Sequence, residues 1–207
     1  MFERSSALAG RLQPRSARPL ASPLTVGEVS GFALLQVSAF IDSVDELDRI
    51  VQRVLGVSLP QRVGSTGRSP DHHIFRVGPE QFWIVGPQDA WIASLQDGVP
   101  PEIGSTVSLS HGRTRLFIDG VSSRAVLSRG IALDLQPEVF CPDAYALTDL
   151  QRTPVLLHRA NQHRYELYVL RTYAVWIFEW LTDAALPFGF EVAAAPASAI
   201  NEHVDRK

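Results

Sequence analysis

The second half of the chain repeats a pattern found in the first half, and this repeat limits the possible folds more than any other feature. The segment FIDSVDELDRIVQRVLGVSLP, which begins at Phe40, aligns without a gap with FIDGVSSRAVLSRGIALDLQP, which begins at Phe117. Further along, QFWIVGPQDAWIASL from Gln81 aligns with ELYVLRTYAVWIFEW from Glu166. Two matches in the same order predict two related halves.

Each half carries the same succession of predicted elements. In the first half, GFALLQVSAFID is typical of a strand, and the helix after it begins with a capping box formed by Ser43 and Glu46. Gly56 ends this helix. HHIFRV and QFWIVG flank a Gly-Pro-Glu turn and predict a hairpin, and PQDAWIASL predicts a second helix. The order strand, helix, hairpin, helix predicts an α+β fold with two similar halves, each an antiparallel sheet with packed helices.

The same patterns divide the chain into four segments. Pro14, Pro19 and Pro23 would break any helix near the N-terminus, so an extended arm is expected there. The run GVPPEIG punctuates the chain near its middle. The predicted segments are an extended N-terminal arm (1–24), a first half (25–104), a second half (105–190) and a C-terminal tail (191–207).

Charge and composition exclude several classes of protein. The 207 residues carry a net charge of −3, so no basic field favours nucleic acid or an anionic membrane. No apolar run reaches the roughly 18 residues that span a bilayer. The N-terminal residues lack the apolar core of a secretory signal, and a mitochondrial transit peptide is the alternative interpretation. The single cysteine, Cys141, excludes an internal disulfide and suits a reducing compartment, so we expect a cytoplasmic protein.

Six aromatic side chains are concentrated in RYELYVLRTYAVWIFEWLTDAA, residues 164–185. RYELYVL alternates as a strand does, with Glu166 and Tyr168 on one face. Thr172 is predicted to cap the helix that follows. We expect one apolar stripe of that helix to form core, with a share in a subunit interface as the alternative, and Phe178 on the other side to be the better interface candidate. The stripe consists of Tyr173, Trp176, Ile177, Trp180, Leu181 and Ala184.

Sequence motifs for common chemistry are missing. The chain holds no GxGxxG, P-loop, HExxH, CxxC or GxSxG. His72 and His73 would point to opposite faces of a strand, so we do not expect them to share a metal ion. Ser110 lies beside His111, but adjacency in sequence is not triad geometry. Cys141 has no neighbouring base.

The charged residues also suggest no active site. Carboxylates are scattered, and no pair stands out as acid and base. Four arginines could form a modest positive patch, although ordinary surface ion pairing is the better explanation: Arg113, Arg115, Arg124 and Arg129. We therefore predict no catalytic, cofactor-binding or metal-binding residue on this chain, which suits a binding or structural subunit.

Four segments of the second half carry a resemblance to a known family. SHGRTRLFIDG, ALDLQPEVF, ALTDLQRTPVLLHR and YELYVLRTYAVWIFEWLTDAA resemble, in that order, the gamma subunit of heterotetrameric sarcosine oxidase. The resemblance covers about Val107 to Ala185, and the first half adds FRVGPEQFWIVGP. The segments LDLQP and RTYAVWIFEWL are the most specific parts.

The resemblance implies a function for the assembly rather than for this chain. That enzyme oxidatively demethylates sarcosine to glycine with FAD, FMN and NAD, makes hydrogen peroxide and passes the one-carbon unit to tetrahydrofolate. Its flavin and folate sites lie mainly on the alpha and beta subunits, and the delta subunit carries zinc. The gamma subunit is non-catalytic, and its fold is related to the folate-binding domains of glycine-cleavage aminomethyltransferase. The implied partners are therefore the alpha, beta and delta subunits.

One position departs from the folate-binding relatives. They often carry an acidic residue just ahead of the serine of the SHG-like strand, where this chain has Ser108. Two alternatives to the sarcosine oxidase interpretation remain. The chain could be the gamma subunit of a related N-methyl amino acid oxidase or dehydrogenase, or a free-standing folate-binding module.

Overall fold

The computed structural model describes residues 6–12, 16–17, 24–87 and 90–196. Their strands are β1 (Ser16–Ala17), β2 (Leu24–Ser30), β3 (Phe32–Ala39), β4 (Thr66–Arg68), β5 (His73–Arg76), β6 (Gln81–Pro87), β7 (Gly104–Ser108), β8 (Arg113–Asp119), β9 (Tyr145–Leu150), β10 (Thr153–Arg159), β11 (Arg164–Leu170) and β12 (Phe190–Pro196). Their α-helices are α1 (Val44–Leu55), α2 (Trp91–Gly98), α3 (Ser123–Leu127) and α4 (Ala174–Ala185), with 3-10 turns at Arg171–Tyr173 and Leu186–Phe188. None of these helices is long and apolar enough to cross a membrane.

The first of two compact units is Gly31–Ser110. Its antiparallel sheet has the strand order β4-β5-β6-β3-β7. Strands β3 and β6 alternate apolar residues toward α1 and α2, which pack on one face of the sheet. The core between sheet and helices includes Leu35, Val37, Ile84, Leu47, Val51, Trp91 and Leu95.

The second unit combines His111–Pro196 with the described residues up to Ser30. Its sheet has the order β1-β12-β2-β8-β11-β10-β9. Helices α3 and α4 pack on the face to which Leu116, Tyr165 and Leu167 point. Because side chains alternate along a strand, the other face of β8 and β11 carries Arg115 and Glu166.

Both units share one topology, which confirms the predicted α+β fold with two similar halves. Along the chain, β3-α1-β4-β5-β6-α2-β7 corresponds to β8-α3-β9-β10-β11-α4-β12. The orders of the strands within the two sheets also correspond, with one difference. Strand β2 lies between β8 and β12, antiparallel to β8 and parallel to β12. The segment that precedes the first repeat therefore completes the sheet of the second.

The N-terminal boundary differs from the predicted one. Leu24–Ser30 is a strand of the second unit, whereas the predicted first half began at residue 25. Within the predicted arm, Leu8 is fully buried in the core of the second unit. A strand between two neighbours satisfies its backbone hydrogen bonds on both sides, which favours the insertion of β2 over an extended arm. The prolines of the arm lie outside the described residues.

The other two boundaries also shift. Strand β7 ends at Ser108, and the first unit extends to Ser110 rather than to residue 104. Strand β12 runs to Pro196, so its pairing with β2 continues into the predicted tail 191–207. Residues 197–207 lie outside the described part of the chain.

Helix α1 has the predicted bounds but not the predicted cap. It begins after Ser43, whose carbonyl accepts the Leu47 N–H at 3.0 Å, and it ends at Gly56, which has φ 69°. The Ser43 side chain makes no capping hydrogen bond. The acidic residues of the first turn, Asp45 and Glu46, still favour the helix because they lie near its positive end.

Helix α4 begins at Ala174, after a 3-10 turn, so the prediction that Thr172 caps it is wrong. Its predicted core stripe is partly wrong as well. Trp176 is 42% exposed and Tyr173 45%, whereas Phe178 is only 5% exposed. The buried side consists of Ala174, Ile177, Phe178, Leu181 and Ala185.

The physical reason is that α4 is apolar on two sides, so its periodicity permits two faces. The sheet selects the face with Ala174 and Ala185 at its two ends, where a small side chain lets the helix approach closely. Ile177 and Leu181 belong to both candidate faces and are buried as expected.

Gly27 is predicted to be essential for the insertion of β2. A Cβ atom at this position would collide with the carbonyl oxygen of Ala193 on β12 and would lie 2.8 Å from Phe117 Cε1 on β8. We expect Gly27→Ala to lower the free energy of unfolding by about 1–3 kcal/mol or more, since the backbone of Ala193 is held in the sheet by its pairing with β2. The matched control is Gly98→Ala, where the methyl group would meet Ile50 at 3.7 Å. Urea unfolding of both variants tests this, and equal effects would contradict it.

Candidate functional site

A cluster of buried polar side chains lies across β8, β10 and β11 of the second unit. Arg115 and His158 come from β8 and β10, and Glu166 and Tyr168 from β11 between them. The strand register pairs Arg115 with Tyr168 and His158 with Glu166. Each of the four side chains is at most 3% exposed. Charged groups this deeply buried must compensate one another.

Glu166 is the centre of the cluster. Its Oε2 atom accepts hydrogen bonds from Arg115 Nε at 3.0 Å and from Arg115 Nη2 at 2.6 Å. The Tyr168 hydroxyl lies 3.4 Å from the same oxygen, and His158 Nδ1 lies 3.5 Å from it. The other oxygen, Oε1, is 3.4 Å from Arg164 Nε. Glu166 is therefore surrounded by donors and cations from three strands.

The outer members of the cluster reach further carboxylates. Arg164 Nη1 lies 3.5 Å from Asp119 Oδ2, and the guanidinium stacks 4.1 Å above the Phe117 ring. His158 Nε2 lies 3.9 Å from Asp143 Oδ1. The cations and carboxylates thus alternate, which keeps the buried network close to neutral.

The pKa values of the cluster record this compensation. Burial alone would raise the pKa of Glu166, but the attraction of Arg115, together with His158 and Arg164, holds it well below its usual value. Burial lowers the pKa of His158, but hydrogen bonding to Asp143 and Glu166 raises it, and the net pKa lies above 6.5. Burial raises the pKa of Tyr168. The arrangement favours an ionised carboxylate and a protonated phenol, which suits holding three strands in register.

The cluster predicts a pH window of greatest stability. Because the folded-state pKa of Glu166 lies below 4.5, its contribution is present above about pH 4.5 and is lost as the pH falls through the folded value. Because the folded-state pKa of His158 lies above 6.5, its contribution is complete below about pH 6.5 and is lost as the pH rises through the folded value. The two contributions coincide between about pH 4.5 and 6.5.

Urea midpoints measured across this range test the assignment to His158. We expect the stability difference between the wild type and His158→Gln to be largest below about pH 6.5 and to shrink as the pH rises. The other histidines are present in both proteins, so the difference isolates His158. A difference that is independent of pH would contradict the assignment.

The two adjacent histidines lie on opposite faces of the first unit's sheet, as predicted. The His72 ring meets Trp91 of α2 edge-on at 5.1 Å, and its Nδ1 atom lies 3.3 Å from Ser69 Oγ. The His73 ring stacks with Phe75 at 6.4 Å, two residues along β5. The two rings therefore do not converge on one ion.

The serine and the cysteine singled out in the sequence lie in different settings: Ser110 is hydrogen-bonded to the backbone, and Cys141 is exposed in a loop. Ser110 Oγ accepts the Leu34 N–H at 3.0 Å and donates to the Leu34 carbonyl at 3.3 Å. His111 is exposed, and Ser108 Oγ lies 3.4 Å from Ser110 Oγ. Cys141 is an exposed loop thiol. Ser110 thus ties the end of the first unit to β3.

Three of the four arginines singled out in the second half have separate local partners. Arg115 belongs to the buried cluster, where its partner is a buried carboxylate rather than a surface one. Arg124 Nη1 donates to Gln136 Oε1 at 2.9 Å. Arg129 Nη1 donates to the Ala184 carbonyl at 3.1 Å, and its guanidinium lies 5.3 Å from the Phe188 ring centre. These three arginines therefore make different local contacts.

The buried cluster was not predicted from the sequence. The strand alternation placed Glu166 on the correct face of its strand but indicated no partner for it, and no motif singled out His158. A signal was present, because TRLFID, VLLHR and RYELYVL each place a charged residue within an otherwise apolar strand. A charge at such a position needs a partner from a neighbouring strand.

Comparisons with known proteins agree with this architecture. No known family's sequence profile matches the chain, and no curated protein sequence matches it. A chain of heterotetrameric sarcosine oxidase from Corynebacterium sp. U-96 superposes with a TM-score of 0.78, covering 89% of this chain and 96% of that chain at 24% identity. The fold is that of a sarcosine oxidase chain. The predicted resemblance is thereby confirmed at the level of the fold.

A second solved structure confirms the predicted relation to the aminomethyltransferase fold. Glycine cleavage system aminomethyltransferase T from Bartonella henselae superposes with a TM-score of 0.56 at 16% identity. The match covers 87% of this chain and 49% of the aminomethyltransferase. The sarcosine oxidase chain and this one therefore have similar extents, whereas the aminomethyltransferase contains about as much chain again.

Proposed function

We propose that this chain is the gamma subunit of a heterotetrameric sarcosine oxidase and that its role is structural. The observation that carries the proposal is the superposition on a sarcosine oxidase chain over almost the whole length of both. The order of the resembling segments from Val107 to Ala185 supports the assignment to the gamma subunit. The partners are then the alpha, beta and delta subunits, and the complex is cytoplasmic.

In this proposal the chemistry belongs to the partner subunits. The complex oxidatively demethylates sarcosine to glycine with FAD, FMN and NAD, transfers the one-carbon unit to tetrahydrofolate and carries zinc on the delta subunit. Two of the polar groups of this chain have partners within its own fold, which supports a structural role for those groups. The Ser110 hydroxyl is engaged by the Leu34 backbone, and Glu166 is engaged by Arg115.

Two exposed aromatic side chains, one in the 3-10 turn before α4 and one in α4, support a role in assembly. Tyr173 and Trp176 are three residues apart, so their rings lie on one side of the helix. Large aromatic residues with exposed surface are enriched at the centres of protein interfaces, where they supply much of the binding energy. We propose that another subunit of the oxidase covers these two rings.

Co-expression with the candidate partner chains tests the proposal. With an affinity tag on this chain, we expect the alpha, beta and delta chains to co-purify, and the complex to produce hydrogen peroxide from sarcosine. Recovery of this chain alone would overturn the proposal. Activity on another N-methyl amino acid, without activity on sarcosine, would favour the gamma subunit of a related oxidase or dehydrogenase.

Variants of the aromatic rings test the docking surface separately. We expect Tyr173→Ala/Trp176→Ala to fold and to co-purify with less of the partner chains. Val63→Ala, which shortens an exposed apolar side chain of the first unit, is the control and should not change the yield of complex. Equal yields from both variants would exclude these rings from the interface.

The second candidate function is a free-standing folate-binding module, which the aminomethyltransferase-like fold supports. Ser108 argues against it, because it stands where folate-binding relatives often carry an acidic residue. Calorimetry with tetrahydrofolate on the isolated chain distinguishes the two candidates. We expect no heat of binding, and saturable binding by the chain alone would favour the module.

A further inference from the structure

The second unit contains a pocket of about 480 Å³ that the proposed function does not use. This volume lies within the range of roughly 300–1,000 Å³ that small-molecule sites occupy. Val121, Pro137 and Pro142 form apolar walls. The polar side chains that line the pocket are Arg124, Arg159, Gln162, His163 and Tyr165, and its described lining contains no carboxylate.

Arg159 is a buried cation in the wall of this pocket. Its side chain is 3% exposed. Nη1 donates to the Phe140 carbonyl and Nη2 donates to the Gln162 carbonyl at 2.9 Å, whereas Nε has no hydrogen-bond partner among the described residues. A guanidinium stays charged at any physiological pH. The two carbonyl oxygens fix its orientation without neutralising its charge.

Carboxylates of nearby strands and loops are engaged elsewhere. Asp143, whose N–H donates to the Arg159 carbonyl, lies beside His158. Asp119, at the end of β8, lies beside Arg164. No described carboxylate forms an ion pair with Arg159, so an anion in the pocket would supply the counter-charge that a buried guanidinium requires.

Tyr165 and Arg124 add donors to the same pocket. Tyr165 is 1% exposed, and its hydroxyl makes no hydrogen bond to a described residue. The Arg159 guanidinium lies 5.8 Å from the centre of the Tyr165 ring. Burial raises the pKa of this phenol, and Arg159 and Arg124 oppose the shift. Arg124 is exposed and uses Nη1 for Gln136, which leaves its other N–H donors available.

We propose that this pocket binds a small organic anion. Its carboxylate or phosphate group would be held by Arg124, Arg159 and the Tyr165 hydroxyl, because planar guanidinium groups match the oxygen pairs of both. Its apolar body would lie against Val121, Pro137 and Pro142. All of the lining residues lie in the second unit of this chain.

Three small compounds that share a phenyl ring test the proposal on the full-length chain. Benzoate and phenyl phosphate carry the two candidate anionic groups on the same ring, and benzamide is a neutral analogue of benzoate. Calorimetry should detect one or both anions and no benzamide, and the tighter anion identifies the class of ligand. Binding should also shift the Arg159 Nε–H cross-peak in nitrogen-15 spectra. No binding by either anion at millimolar concentration, or equal binding of benzamide, would overturn the proposal.

Two substitutions locate the binding site. Arg124→Gln removes an exposed cation and should weaken anion binding about tenfold or more, since it deletes a charge-assisted contact. Tyr165→Phe keeps the ring and should weaken binding by a smaller factor. Arg49→Gln makes the same change of charge on the exposed side of α1 and should leave the affinity unchanged. If Arg124→Gln and Arg49→Gln behaved alike, the anion would bind elsewhere.

Discussion

Arg115→Met is expected to lower the free energy of unfolding by about 3–5 kcal/mol at pH 7, because it leaves the Glu166 carboxylate buried without its main counter-ion. Both hydrogen bonds from Arg115 to Glu166 Oε2 would be lost, and Glu166 is fully buried. His158 and Arg164 would remain, but they lie 3.4–3.5 Å from the carboxylate and do not replace a bidentate partner. Urea unfolding of the purified variant measures the loss.

The double variant Arg115→Met/Glu166→Leu is the matched control. It removes both charges together, and replacement of a buried ion pair by apolar side chains is often neutral or stabilising. We therefore expect the double variant to recover most of the lost stability. If the single variant lost less than about 1 kcal/mol, or if the double variant were worse, Glu166 would not depend on Arg115 in the way proposed.

The pairing of Arg115 with Glu166 shows which part of the site was predictable from sequence. The alternation in RYELYVL correctly separated Tyr165 and Leu167 from Glu166 and Tyr168, because side chains on a strand point alternately to its two faces. Which strand lies beside β11 depends on pairings between residues far apart in the chain. The sequence therefore indicated that Glu166 faces away from the helices, but not that Arg115 and His158 surround it.

For the fold as well, local sequence patterns predicted the elements but not the pairing of strands that are distant in the chain. The repeat predicted two α+β halves, since each copy carries the same local patterns of strand, helix and hairpin. The insertion of β2 between β8 and β12 joins Leu24–Ser30 to residues more than eighty positions later. No local pattern in LTVGEVS distinguishes an inserted strand from an edge strand. Gly27 was the available hint, because a glycine within a strand often marks a close approach of another backbone.

The anion pocket was beyond sequence reasoning for a related reason. Arg124 comes from α3, Arg159 from β10 and Tyr165 from β11. The closeness of Arg113, Arg115, Arg124 and Arg129 in the sequence suggested a surface patch. Which arginines are close in space depends instead on strand pairing. Arg159 was not considered at all, although it is the buried member of the pocket.

Substitutions at Trp176 and Phe178 test which face of α4 packs on the sheet. The sequence predicted that Trp176 lies in the core and that Phe178 is the better interface candidate. In the structure Phe178 is only 5% exposed, whereas Trp176 is 42% exposed. We expect Phe178→Ala to lower the free energy of unfolding by about 3–5 kcal/mol, since it removes a large side chain from a closed core and leaves a cavity. Trp176→Ala should change it by only about 0.5–1 kcal/mol, since nearly half of the ring surface is already exposed.

The comparison is well controlled because both residues are aromatic, both lie on α4 and both are replaced by the residue with the highest helix propensity. Urea unfolding gives the two free energies, and co-purification with the partner chains gives the assembly yield. We expect Phe178→Ala to lose stability and Trp176→Ala to lose assembly. The opposite result for stability would place Trp176 in the core, as the helical periodicity alone predicted, and would remove the proposed aromatic docking surface.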